Sequence, residues 1–152
     1  MSFETVLPIW ESIQQRFNKL VKAIPESDLT LRLDSVSIIS LVRHTAEAEF
    51  IFMEWFFGKS IPEGMKERMS GKPDAANAGK ECVEELLELL SASNRNVIEA
   101  MRSLPQESWH KPVESPMGTS TPLEAIGRLM YHTGIHAGQI SLIQKTAKSA
   151  QQ

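Results

Sequence analysis

The stretch RLMYHTGIHAGQI, Arg128 to Ile140, sets two histidines four residues apart in a segment whose apolar residues recur with helical period. At about 100° per residue His132 and His136 share one face, offset by about 40° and roughly 6 Å apart along the axis, so two imidazoles can converge on one point. Leu129, Ile140 and Ile143 lie close to that face, which assigns the pair to the core side of a long helix. Upstream, TPLE supplies its start: Thr121 as N-cap, Pro122 at the first helical position and Glu124 at the third form a capping box. The pattern continues to about Lys148.

Outward from this helix the periodicity stays helical, and no pair of alternating strands joined by a hairpin turn stands out. A first helix is expected from about Phe3 to Ala23, stopped by Pro25, with Pro8 marking an early turn or mild kink. A second begins near Ser35 as N-cap and runs to Gly58 as C-cap. A third covers roughly Ala75 to Leu104, ending before Pro105. The fold class is therefore all-α, a four-helix bundle with long connections, Gly58 to Asp74 and Leu104 to Thr121, either of which can cross the length of the bundle. No internal repeat or domain linker is visible.

The chain of 152 residues suits a single domain, 1–152, with a sizeable core. Its formal net charge is −3 and its basic residues are scattered, which disfavours nucleic acid as a partner. Cys82 is the sole cysteine, so no intramolecular disulfide exists; a small buried core residue is the expectation for it. No apolar run reaches membrane-spanning length, and the start MSFETVLPIW lacks a basic region followed by an apolar stretch. The expected localisation is cytoplasmic.

His44, in the second helix, shares its stripe with Ile51 and Trp55, each about 20° away, and with Ala48, about 40° away, so it too is expected to point inward. With the second and fourth helices antiparallel, His44 lies about 20 Å from the end where the fourth begins, and the other two sit about 15 to 21 Å along it. Three of the four histidines can thus meet. They read either as core imidazoles hydrogen-bonded to backbone or carboxylate, or as ligands of one metal, each using one nitrogen and leaving the other for an outer acceptor. The metalloprotease motif needs Glu directly after the first histidine, and Thr133 stands there.

LVRHTAEAE in the second helix, MGTSTPLEAIGRLMYH leading into the last, and YHTGIHAGQI within it resemble the DinB-like (YfiT/DinB) superfamily of metal-binding four-helix-bundle proteins, over nearly the whole chain. The resemblance implies a long connection between helices 2 and 3, antiparallel helices 2 and 4, frequent homodimers, and a divalent metal on His44, His132 and His136. Many relatives carry Arg after the last of these, as in HRGQ; here Ala137 occupies that place. Zn or Ni is the metal expected, and imidazole also suits Fe. Characterised relatives include thiol S-transferases and isomerases that use bacillithiol or mycothiol, while others are described as metal-dependent hydrolases. A small-molecule substrate or thiol cofactor is thereby implied.

Three imidazoles leave coordination positions open, as catalytic sites do. No base is assigned: Glu47, about 60° from His44, pairs with Arg43 or reaches the rim, and Glu49, about 140° away, faces elsewhere. His110 is expected to be exposed or capping, and Gly134, Ala137 and Gly138 to permit close helix packing. The competing function is a non-catalytic helical interaction or stress-response protein with a structural metal. Its support is EFIFMEWFFG, whose apolar sector is wider than one core requires. A homodimer with Phe52, Phe56 or their neighbours in its interface would account for that width.

Overall fold

A computed structural model describes residues 2–69 and 82–150. Its long helices are α1 (Ser2–Lys22), α2 (Ile38–Phe57), α4 (Val83–Ser103) and α5 (Pro122–Ala150); a short α3 (Met65–Met69) lies in the connection after α2. In α1 the buried residues Val6, Trp10, Gln14, Phe17 and Val21 follow helical spacing, and Pro8 is carried inside the helix. Gly58 ends α2 in the left-handed region, at φ 66°, where a residue without Cβ is at ease. Cys82 is the N-cap of α4 and only half-buried, not a core residue. The expected helical residues 75–81 lie outside the described residues.

Side-chain contacts set the helix directions. α1 packs on α4 and α5, as does α2, which places α1 and α2 at opposite corners. Trp10 Nε1 donates to Asn94 Oδ1 at 2.7 Å, and the Val83 amide donates to Glu26 at 3.1 Å, so α1 and α4 are antiparallel. Glu49 meets Ser93 and Lys59 meets Glu99, so α2 and α4 are parallel and need a crossover between them. By Arg68 the chain has returned to the start of α2, where Arg43 Nη2 donates to the Arg68 carbonyl at 2.8 Å. The expected all-α bundle with a long connection between its second and third long helices is the fold observed.

Two details depart from expectation. Short antiparallel ribbons precede α2 and α5: β1 (Arg32–Leu33) with β2 (Val36–Ser37), and β3 (Val113–Ser115) with β4 (Gly118–Ser120). Strands of two or three residues are too short to print an alternating pattern. The chain is also an internal repeat. AIPESDL and SLPQESW each leave a long helix through Pro25 or Pro105 and make one 3-10 turn. Each then buries its last residue, Leu29 or Trp109. The carbonyls of these two residues accept from the second residue of the following helix, Ile39 at 3.1 Å and Leu123 at 3.2 Å. Capping boxes follow at equivalent places, Ser37 with Ser40 and Thr121 with Glu124, so the start of α2 lies two residues past the expected Ser35.

The core is two apolar clusters, one holding Phe17, Val42, Phe50, Leu90 and Ile140, the other Trp10, Phe52, Phe56, Met101, Trp109 and Leu129. Along the helices Gln14, Glu49 and Ser93 fall where one cluster gives way to the other, and all three are buried. Glu49, with 0% exposure, accepts from Gln14 Nε2 at 3.0 Å and lies 2.8 Å from Ser93 Oγ. Burial pushes its pKa up to about 7, against the lowering effect of hydrogen bonds from Ser93 and Gln14. Phe52 and Phe56 are packed inside their own bundle, which removes them as candidates for a dimer interface. α2 is wide in its apolar sector because it meets two helices and the β3 ribbon.

Candidate metal centre

The structure brings His44, His132 and His136 together at the seam between α2 and α5. Ring centroids are 4.9 Å apart for His44 and His132, 5.3 Å for His44 and His136, and 4.2 Å for His132 and His136. One nitrogen from each ring lies within 4.8 Å of the others. The cluster is graded in burial: His136 is buried, His132 half-buried and His44 exposed. This corrects the inward orientation expected of His44. α2 is covered on two sides, so the stripe of Ile51 and Trp55 is itself a half-buried flank, not the bundle axis.

The hydrogen-bond inventory of the rings is incomplete. His136 Nδ1 lies 2.6 Å from Gln139 Oε1, an acceptor, so Nδ1 carries the proton and Nε2 is left with its lone pair. That Nε2 lies 2.8 Å from His132 Nε2, while His132 Nδ1 is buried without a partner. Burial, then the positive charge His136 can carry, lowers the pKa of His44. The same causes, with His44 added, lower that of His132 to about 4. Both rings are held neutral near pH 7, the form a metal requires. With one nitrogen of each ring within 4.8 Å of the others, the three imidazoles would hold a divalent metal after only small side-chain adjustments. The residues fit a divalent metal, with the open side toward solvent beside His44.

Other candidates stay outside. His110 is exposed in the turn after Trp109, and Glu47 is half-buried on α2 but is not a member of the cluster. Glu49 faces the bundle centre. Gly134 and Gly138 are exposed, and a Cβ at either would meet nothing, so neither serves close helix packing. A groove of ≈ 840 Å³ lined by Ser12, Arg16, Lys19 and Gln144 lies between α1 and α5, away from the histidines.

The internal repeat organises the seam. His44 and Arg128 are each the seventh residue after the N-cap of their helix, Ala48 and His132 the eleventh, Phe52 and His136 the fifteenth. Because α2 and α5 are antiparallel, these positions pair as three rungs: His44 with His136, Ala48 with His132, Phe52 with Arg128. The outer rungs are counterparts under the repeat, and their contacts match: ring centroids 5.3 Å apart in one, guanidinium to ring centroid 5.2 Å in the other. Sequence reasoning missed Arg128. Its signal was the spacing of four residues that places it on the face of His132.

Residues 9–140 match the family model described as DinB superfamily. The fold is similar to that of a DinB-like protein from Bacillus cereus, with a TM-score of 0.76 at 13% identity, over 95% of this chain and 92% of that one. It is also similar to a mycothiol-dependent maleylpyruvate isomerase, with a TM-score of 0.65 at 18% identity, over 92% of this chain and 61% of that one. A histidine-to-alanine mutant of that isomerase gives the same figures, TM-score 0.65 at 18% identity. No curated protein sequence matches the chain.

Proposed function

The chain belongs to the DinB superfamily, and we propose that it is a metal-dependent enzyme whose site is the trio His44, His132 and His136, acting on a small molecule through a thiol. The observation that carries this reading is three histidine nitrogens within 4.8 Å of one another, with one ring exposed. A divalent metal bound there supplies Lewis acidity, lowering the pKa of a coordinated thiol or polarising a substrate oxygen. The protein does the rest. Gln139 fixes the tautomer of His136, the lowered pKa values keep His44 and His132 available as ligands, and exposed His44 marks the side from which substrate arrives.

Thiol chemistry is favoured over hydrolysis by the composition of the cluster, which contains imidazoles and no carboxylate. Hydrolysis calls for a base to manage protons at the attacking water, whereas a coordinated thiol is already deprotonated. The fold shared with a mycothiol-dependent isomerase is consistent with this choice. The test is elemental analysis of tag-free protein followed by titration of stripped protein with Zn and Ni. One equivalent should bind, and His44→Ala or His136→Ala should weaken binding by at least about 100-fold, as loss of a ligand does. Undiminished stoichiometric binding in both variants would return the trio to the role of polar packing residues.

A further inference from the structure

The third rung of the α2–α5 seam is not used by the proposed metal. Arg128 stacks over Phe52, its guanidinium carbon 5.2 Å from the ring centroid, and Nη1 donates to Ser120 Oγ at 3.0 Å. The stack and the hydrogen bond hold the planar fork in place. Arg128 takes no part in the ion pairs Lys59–Glu99 and Lys66–Glu54, and its half-buried guanidinium shows no anionic partner for Nε and Nη2 among the described residues. Neither donor is among the buried atoms left without a partner, so both face solvent and are available to an anionic ligand.

Its place points to what meets it. Arg128 is one helical turn before His132 on the same face, so its rung lies roughly 6 Å along the axis from the level of His132 and roughly 12 Å from that of His136. Ala48, on the rung between, adds only a methyl group to the space separating the guanidinium from the imidazoles. Under the internal repeat Arg128 occupies in the second half the place His44 occupies in the first, so the seam presents a ligand trio at one end and a fixed positive charge at the other.

We propose that Arg128 is the anion subsite of the metal centre, binding the carboxylate of a small acid whose thiol reaches the three histidines. This assignment rests on the metal-dependent reading above and narrows its substrate to an acid. A thiol a few carbons from its carboxylate spans the gap left after a metal–sulfur bond of about 2.3 Å and a charge-assisted hydrogen bond of about 2.8 Å.

The experiment loads the protein with one equivalent of Co²⁺ and titrates it with 4-mercaptobutyrate and with 4-mercapto-1-butanol, following the visible absorption of the metal. The two thiols share length and donor atom and differ in charge. The acid should bind at least about tenfold tighter, the ratio a hydrogen bond to a charged group supplies, and that preference should shrink with added salt. Arg128→Met should abolish the preference and leave binding of the alcohol unchanged, while Arg128→Lys should keep part of it. Equal affinities of the wild-type protein for the two thiols overturn the subsite and leave the metal reading standing, with no variant needed. Cobalt that does not bind at the histidines overturns the metal reading and the subsite with it.

Discussion

Glu49 Oε2 lies 2.8 Å from Ser93 Oγ in the middle of the bundle, and the same Oγ lies 3.0 Å from the Leu90 carbonyl oxygen. A hydroxyl has one proton, so it cannot donate fully to both acceptors. When Glu49 is ionised, Ser93 must share its one proton between the two acceptors; when Glu49 is a neutral acid, it can donate to Ser93, which in turn donates fully to Leu90. The other carboxyl oxygen then accepts from Gln14, and the buried acid is satisfied without charge.

The sign of the resulting pH dependence is fixed. The folded-state pKa of Glu49 is raised from 4.5 to about 7, so the folded chain holds this proton more tightly than the unfolded one. Its stabilising effect is complete below 4.5 and is lost as pH rises toward 7, a change of roughly 3 kcal/mol. Glu49→Gln keeps the acceptor for Gln14 and a donor for Ser93 without titrating. Urea midpoints should place this variant above the wild type at pH 8 and level with it at pH 5; a variant weaker at both pH values would show an ionised Glu49 to be the stabilising form.

His132 works in the opposite direction. Its folded-state pKa is lowered from 6.5 to about 4, so its contribution is present above 6.5 and lost as pH falls through that interval. The effect is muted because the ring is half-exposed. In metal-free protein the two groups oppose each other between about 4.5 and 6.5, and the fully buried Glu49 outweighs the half-exposed ring, so wild-type stability should still rise on acidification there, by less than Glu49 alone would give. In Glu49→Gln the unmasked histidine should make stability fall on acidification, measurable as a drop in Tm.

Gln139 Oε1 fixes the tautomer of His136 from 2.6 Å. Gln139→Leu should lower Zn affinity by about 10- to 100-fold, the usual scale for losing the outer partner of a histidine ligand, and Gln139→Glu should raise it. Competition with a colorimetric chelator reads both.

Thr121→Ala removes the hydroxyl that accepts from the Glu124 amide at 3.1 Å. The expected loss is about 1 kcal/mol of stability, read by urea denaturation, with metal affinity unaltered because the cap is roughly 16 Å along α5 from His132.

The helices were legible because each prints its own period and punctuation: Gly58 and the Thr121–Glu124 box sit where the sequence places them. The meeting of His44, His132 and His136 was legible for the same reason, since pitch and an antiparallel register bring them to one level. The exposure of His44 was not, because a wheel drawn on one helix ranks neighbours without saying where the other helices stand. Glu49 was expected to face away from His44, and it does, toward the bundle centre. What the wheel hid was that Gln14, in the stripe of Trp10 and Phe17, and Ser93, between Leu90 and Val97, belong to the same layer. Polar residues at core positions of three different helices were the available sign. The repeat escaped because AIPESDL and SLPQESW share geometry far more than letters.

That repeat gives the seam a property neither half has. The first half contributes one imidazole and the second contributes two, so a metal held by all three is a latch closed across the halves. Its affinity then includes the free energy of docking one half on the other, and binding metal favours the docked state in return. A chain opened between residues 69 and 82 and produced as two fragments would regain the site only as the pair. Metal occupancy would in that setting count assembled molecules.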